Sequence, residues 1–183
     1  MPTISARTAN GKVSSSRSMH RAARSLAIAE VSGLMEDYSN RGVFRGLVSR
    51  PIRTRVVSFE MIWHGNLVFK LILDTKTRTL TVPVVLPDVP SDSSMYRDFK
   101  IFVESHHDRK LPKHRRIDKA KAAIQVGKRG RNISLTMAVK DGDYVYGTQR
   151  LVHLIHETFL LFLANGIYFD YRVARLGLDP DWA

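Results

Sequence analysis

The chain contains no cysteine. Disulfides, thiolate metal sites and cysteine nucleophiles are therefore excluded together, and this composition is typical of a reducing compartment. No uncharged apolar run reaches the roughly 18 to 20 residues that a membrane-spanning helix requires. We therefore expect a soluble cytoplasmic protein without a membrane association.

Acidic residues are missing from the N-terminal segment, where none precedes Glu30, while serine and arginine are abundant. A secretory signal is excluded because the segment has no continuous apolar stretch. The composition fits either an organelle transit peptide or a disordered basic arm. We predict a flexible basic arm over residues 1–18 and a single domain over 19–183, an ordinary domain size.

The net charge of +12 is unevenly distributed along the chain. Residues 1–58 carry a net charge of +7 and residues 106–131 carry +8, whereas the rest of the chain is slightly acidic. Concentrated positive charge is typical of proteins that bind a polyanion or an acidic partner. A solvated tail and a solvated loop explain the same pattern, so both interpretations stay open.

Aromatic residues are absent between Val103 and Tyr144, the interval that contains the second basic block. Stacking of bases on this segment is therefore not expected, and nucleic acid would be bound through its phosphates. We predict that one end of the sheet presents nine cations to a polyanion or an acidic partner. These are Lys110, Lys113, Arg115, Arg116, Lys119, Lys121, Lys128, Arg129 and Arg131.

The hydrophobic pattern predicts an α+β fold with an antiparallel five-stranded sheet packed with helices, in the order α-β-β-β-α-β-β-α. The first helix is predicted from Met19 to Asn40 by its apolar stripe, and "GLVSRP" is interpreted as a connection. Pro83 lacks an N–H group, so its strand is expected to lie at an edge or to bend there. The predicted strands are "RVVSFEMIW", "LVFKLILD", "TLTVPVVLP", "AAIQVG" and "ISLTMAVK".

The order of these elements resembles that of the YbjN-like proteins, whose fold is similar to that of type III secretion chaperones. The resemblance covers roughly residues 20–165 and is carried by the early amphipathic helix, the "FEMIWHGNLVFKLIL" hairpin and the closing "LVHLIHETFLLFL" helix. It implies a non-enzymatic binding domain, often dimeric, with a chaperone-like or regulatory role. The chain departs from the secretion chaperones in charge, because they are typically acidic.

The last long helix places His153, His156 and Glu157 on one narrow polar arc opposite a wide apolar arc. Two histidines three residues apart can reach one metal ion, but a site needs a third ligand and usually a fourth. His106, His107 and His114 of the basic segment could supply one only if that segment folded over this helix, and the positive charge that it would bring around a metal cation argues against such a site. We therefore interpret the arc as a solvated polar face, with a metal site and a partner contact as alternatives. Leu160 lies inside the arc, which indicates a contact surface formed by His153, His156 and Leu160.

Signals of catalysis are weak in this sequence. It has no serine in a Gly-x-Ser-x-Gly elbow and no paired carboxylates at a telling spacing. The segment "GKRGRN" joins two predicted strands, so we interpret it as a hairpin turn and not as a phosphate-binding loop. We expect neither an enzyme nor a bound cofactor or metal.

These observations lead to two hypotheses for function. The first is a non-catalytic binding protein, chaperone-like or regulatory, that engages a protein partner and forms a homodimer. The alternative is an accessory nucleic-acid-binding protein that uses the N-terminal arm and the basic 109–131 segment.

Overall fold

The computed structural model describes residues 9–164 and 167–178, and for residues 9–18, 20 and 21 it describes the backbone alone. The elements follow the order α-β-β-β-β-α-β-β-α-α, with four α-helices and six strands. The helices are α1 (Ala9–Asn40), α2 (Met95–Ser105), α3 (Tyr144–Glu157) and α4 (Phe169–Leu176), with a π-helical turn at Thr158–Phe162. The strands are β1 (Arg45–Arg53), β2 (Val56–Trp63), β3 (Leu67–Asp74), β4 (Thr79–Leu86), β5 (Ala122–Arg129) and β6 (Asn132–Val139).

The six strands form one antiparallel sheet in the order β1-β2-β3-β4-β6-β5. Alternation places one set of side chains on the face that the helices cover, because successive strand residues point to opposite faces. The α+β class is therefore confirmed. The covered set includes Phe59, Leu73, Leu80, Leu135 and Met137, all buried.

The sheet has one strand more than the five predicted. The additional strand, β1, pairs with β2 at the edge of the sheet, from Arg45 opposite Ile62 to Arg53 opposite Val56. Its residues are exposed on both faces, apart from one partly buried position. Because no face is buried, the segment has no alternation of apolar and polar residues, and the pattern that reveals the other strands is missing.

The strand that contains Pro83 lies inside the sheet, between β3 and β6, so the predicted edge position is wrong. The predicted bend agrees with the pairing, because the register between β4 and β6 shifts between Val82 and Leu86. A proline cannot donate the ladder hydrogen bond, and the ladder is interrupted where it lies.

The first helix begins at Ala9, ten residues before the predicted start at Met19. Among the side chains of this helix that the structure describes, the buried ones are Ala27, Val31, Met35 and Tyr38. Extending an existing helix adds one hydrogen bond for each residue that is ordered, so the helix continues without an apolar stripe. Of the predicted flexible arm, residues 1–8 lie outside the described residues, and the rest belongs to this helix.

No helix in the described ranges is both long and apolar enough to cross a membrane.

Candidate functional site

The segment between α2 and β5, residues 106–121, folds back over α3 instead of extending into solvent. Ile117 is buried, and its N–H donates a 2.8 Å hydrogen bond to the carbonyl of His106. The N–H of Asp118 donates to the hydroxyl of Tyr146 on α3 over 2.7 Å. These contacts attach the basic segment to the helix that carries the predicted polar arc.

Glu157, at the end of α3, anchors this segment to the helix. Its carboxylate accepts two hydrogen bonds from the Arg115 guanidinium and lies 2.7 Å from Nε2 of the buried His106. Burial raises the pKa of Glu157, but the hydrogen bonds from Arg115 and His106 outweigh burial, and the pKa lies below its usual value. The Nδ1 atom of His106 contacts the carbonyl of Phe102 at 2.9 Å. Both ring nitrogens of His106 are therefore engaged in contacts within the protein.

The interpretation of Glu157 as part of a solvated polar face is therefore wrong, because its exposed fraction is only 8%. The basic segment does fold over α3. The carboxylate of Glu157 accepts hydrogen bonds from Arg115 there and contacts His106.

The two histidines of the arc have separate surroundings. His153 is partly buried and its ring lies 5.8 Å from that of His114. Desolvation, together with the charges of Arg150 and His114, lowers the pKa of His153. His156 is exposed and its ring is parallel to Trp63 at 6.0 Å. In the described ranges, no three His, Asp or Glu residues are grouped so that they could hold a metal ion.

The contact surface predicted around Leu160 lies on the π-helical turn that continues α3. The turn places Leu160 and Leu161 side by side, with exposed fractions of 46% and 45%. Phe162 turns inward and stacks on Tyr168 at 4.9 Å, which joins the turn to α4. Large apolar side chains with exposed fractions from 36% to 77% follow immediately along the chain at Ile167, Phe169 and Val173. We call Leu160, Leu161, Ile167, Phe169 and Val173 the apolar surface.

The nine predicted cations do not lie at one end of the sheet. Six of them, from Lys110 to Lys121, precede β5, whereas Lys128, Arg129 and Arg131 lie at its far end. Seven residue steps of a strand separate the two ends of β5 by about 23 Å. The expectation of a single nine-cation surface is therefore wrong, because the length of β5 separates the two groups. The predicted hairpin at "KRGRN" is confirmed, since Arg129 pairs with Asn132.

Four of the nine cations form ion pairs. Arg115 pairs with Glu157, Lys119 with Glu104 at 2.6 Å, Lys121 with Asp143 at 3.4 Å and Arg131 with Asp88 at 2.9 Å. Lys128 lies over the ring of Tyr96 at 5.7 Å. Much of the positive charge of the segment therefore contributes to holding the loop and the hairpin.

A different group of cations gathers at the end of the sheet where β2, β4 and β5 begin. Arg55 lies in the β1–β2 turn, Lys76 and Arg78 lie in the β3–β4 turn, and Lys140 follows β6. Arg24 on α1 lines the same cleft as the first three. Part of this group can be predicted from the sequence, because alternate turns of a meander lie at the same end of the sheet. The β1–β2 turn cannot be recognised when β1 itself is not predicted.

His64 is a second residue that the sequence did not single out. Its ring is stacked between Trp63 at 4.6 Å and Phe159 at 4.1 Å, and its Nε2 atom is buried without a hydrogen-bond partner among the described residues. Burial lowers the pKa of His64 to about 3, with smaller effects from the charges of His156 and Arg172. The residue also has a positive φ of 44°, in the β2–β3 turn.

No protein-family model, no curated protein and no solved structure matches the chain. The resemblance to the YbjN-like proteins and the type III secretion chaperones therefore stays a prediction.

Proposed function

We propose that the chain is a non-catalytic binding protein, with a chaperone-like or regulatory role, that engages a protein partner. The resemblance to YbjN-like proteins and type III secretion chaperones supports this class of function. The apolar surface around Leu160 and Leu161 is the observation that carries the proposal.

The apolar surface supports a protein partner because five large aliphatic and aromatic side chains are exposed within residues 160–173. Exposed apolar residues that occur singly are normal, whereas a contiguous group marks a contact site. Leu160 and Leu161 lie on a π-helical turn, a geometry that is rare and that occurs frequently at functional sites. A partner with its own apolar side chains would remove this area from water at about 25 cal/mol per Å².

The polar cluster formed by Glu157, Arg115 and His106 has a structural role. The carboxylate of Glu157 is already occupied by Arg115 and His106, so its oxygens are engaged within the protein. The cavity between α1, α3 and the sheet has a volume of about 10 Å³ and a lining that includes Met35, Trp63 and Leu151. A space of this size holds at most one water molecule.

The decisive experiment compares capture by the wild type and by the double variant L160D/L161D. Tagged full-length protein is used as bait in native lysate treated with nuclease, so that capture through nucleic acid is removed. We expect the double variant to lose at least tenfold of the captured partner, because two buried carboxylates would oppose the apolar contact. The variant V68D is the matched control, since Val68 is 73% exposed on the opposite face of the sheet.

Equal capture by L160D/L161D and the wild type would reject the apolar surface as the contact. The predicted homodimer is checked on the same proteins by light scattering. A dimer that L160D/L161D converts to a monomer would identify the partner as a second copy of the chain. A monomeric wild type that also captures no protein would contradict the proposed function.

The alternative function, nucleic-acid binding through the arm and the 109–131 segment, is not favoured in that form. Its nine cations are divided between two ends of β5, and four of them are paired with acids. The cations at the end of the sheet form a more coherent group.

A further inference from the structure

We propose that the end of the sheet that carries Arg55, Lys76, Arg78 and Lys140 binds the phosphate backbone of a nucleic acid. We call these four residues the basic rim. This site is distinct from the apolar surface, and the proposal does not depend on the proposed protein partner.

Strand pairing brings the members of the basic rim to one end of the sheet. Val56 pairs with Asp74, Asp74 pairs with Thr79 and Thr79 pairs with Ala138, so the turns beyond these residues lie side by side. Neighbouring strands are about 4.8 Å apart, and the rim extends over three to four strand spacings, or about 17 Å. Phosphates of one strand of a duplex follow each other every 3.4 Å along the axis, so the rim covers about five of them.

The acidic residues of the same turns accept hydrogen bonds from backbone N–H groups. Asp74 accepts hydrogen bonds from the N–H groups of Lys76 at 2.7 Å and Thr77 at 3.3 Å. Asp141 accepts one from the N–H of Asp143 at 3.0 Å, and Asp143 itself caps α3 by accepting from Tyr146 at 2.9 Å. These carboxylates therefore stabilise the turns, and Asp143 also pairs with Lys121, but none of them forms an ion pair with Arg55, Lys76, Arg78 or Lys140.

The cations of the rim are not paired with acids in the described part of the chain. Arg55, Lys76 and Arg78 are exposed, and none of them forms an ion pair with an acid in the described part of the chain. Arg78 and Lys140 each donate to a carbonyl, at 3.4 Å and 2.6 Å, which orients them but leaves their charge uncompensated. The charges that the fold does not use are those that a polyanion can neutralise.

An open cleft between the rim and α1 gives the ligand a place to lie. The cleft has a volume of about 460 Å³ and continues into a second one of about 490 Å³ that shares Arg24 and Arg55. Arg24 provides a cation from the helix, opposite Arg55, Lys76 and Arg78 on the sheet side. Glu30 and Asp141 also line the cleft, so the lining carries a net charge of about +2 and not of +4.

The shape and chemistry of the cleft favour nucleic acid over the other polyanions. A single phosphate would need only one or two of the cations, and a row of about 17 Å matches a repeating backbone. The lining aromatic residue, Tyr144, is buried, and its hydroxyl donates to the carbonyl of Thr75, so it is not available to stack on a base. Binding should therefore be directed to phosphates and independent of sequence.

The test measures the affinity of the full chain for a fluorescent 20-base-pair DNA duplex between 50 and 200 mM NaCl. Five contacts, four from the rim and one from Arg24, predict a slope of log K against log [salt] of about −4.5 and a loss of about 500-fold over this range. The triple variant R55Q/K76Q/R78Q removes three contacts and should reduce the slope by about 2.7.

The matched control is R45Q/R97Q/K100Q, which removes the same charge from exposed positions outside the rim. We expect this control to keep the wild-type slope, because its residues lie outside the cleft. An equal decrease of the slope in both variants would show a general effect of net charge and would overturn the proposed site. Absence of duplex binding, or displacement of the duplex by poly-glutamate at equal charge concentration, would overturn the choice of nucleic acid. Anionic vesicles that compete equally would overturn it as well.

L160D/L161D should bind the duplex as the wild type does, which keeps the two proposals separable. If this variant fails to capture protein but binds DNA, the outcome concerns the apolar surface alone. If the rim variant captures protein normally but binds the duplex with the reduced slope, both proposals are supported independently.

Discussion

At the scale of single residues, Glu157 is a buried carboxylate whose removal should lower the stability of the fold. It pairs with Arg115 and contacts His106, which is buried with an exposed fraction of 3%. Removing one partner of a buried ion pair leaves an uncompensated charge, which costs about 3 to 5 kcal/mol. Because Arg115 is partly exposed, we expect E157Q to lower the free energy of unfolding by about 3 kcal/mol, at the lower end of that range. Urea denaturation at pH 7.5 measures this change.

The control for E157Q is E104Q, which removes the carboxylate of the exposed pair between Glu104 and Lys119. Exposed pairs contribute about 0 to 1 kcal/mol, so this variant should be close to the wild type. Equal effects of the two substitutions would mean that Glu157 does not hold the basic segment.

His64 gives the protein a dependence of stability on pH. Burial lowers its folded pKa to about 3, below the unfolded value of 6.5, so the unfolded chain takes up the proton first as pH falls. Stability is therefore complete above pH 6.5 and declines as the pH falls from 6.5 toward 3. Between pH 7.5 and 5.5 this one group should account for a loss of about 1.4 kcal/mol. H64F keeps a ring between Trp63 and Phe159 but does not titrate.

The measurement is urea denaturation of the wild type and H64F at both pH values. We expect the loss on acidification to be smaller in H64F by about 1.4 kcal/mol. Desolvation also lowers the pKa of His153 and His156, so both proteins keep the contributions of those residues. Identical pH dependence in the two proteins would exclude His64 as a source.

At the scale of elements, α3 approaches the sheet closely at Gly147. A Cβ atom added there would lie 2.7 Å from Cγ2 of Val139 and 2.9 Å from Cδ1 of Leu80. Overpacking of this kind costs about 1 to 3 kcal/mol, which exceeds the gain of about 1 kcal/mol from replacing glycine in a helix. We therefore expect G147A to be destabilised in urea denaturation.

G33A on α1 is the matched control, because an added Cβ there has no atom within 4 Å. It should gain about 0.5 to 1 kcal/mol from helix propensity alone. Opposite signs for the two substitutions would confirm that the space at Gly147, and not glycine itself, decides the outcome.

The elements also show which parts of the fold a sequence pattern can predict. Strands with one buried face, such as β6 with Ile133 and Leu135, alternate clearly and were predicted. The exposed strand β1 has no such pattern and was missed. The docking of the basic segment was missed because Glu157 meets His106 and Arg115 across 51 and 42 residues of chain, and no local spacing reports such a contact.

At the scale of the whole molecule, the net charge of +12 opposes the compact state. The cations of the basic rim add to this repulsion without ion pairs in the described part of the chain. R55Q/K76Q/R78Q lowers the net charge from +12 to +9, so at 20 mM salt its free energy of unfolding should equal or exceed that of the wild type. Its stability should also depend less on salt, since added salt screens the repulsion that remains.

Urea denaturation at 20 and 200 mM NaCl measures both effects. A loss of more than about 1 kcal/mol in the triple variant at low salt would mean that these side chains stabilise the fold.

Candidate sites at this scale could be predicted only in part. The sequence located the positive charge in blocks, but topology decides which blocks meet, as the separation of Lys121 from Lys128 by the length of β5 shows.

The first strand has a further consequence for how copies of the chain behave at high concentration. An open edge strand normally invites sheets of different molecules to join into aggregates. In β1 the register with β2 shifts near both ends, Pro51 lacks an N–H group, and Arg45, Arg50 and Arg53 repel an identical strand. Polymerisation through this edge should therefore be disfavoured, and resistance to it should depend on these three arginines and on Pro51.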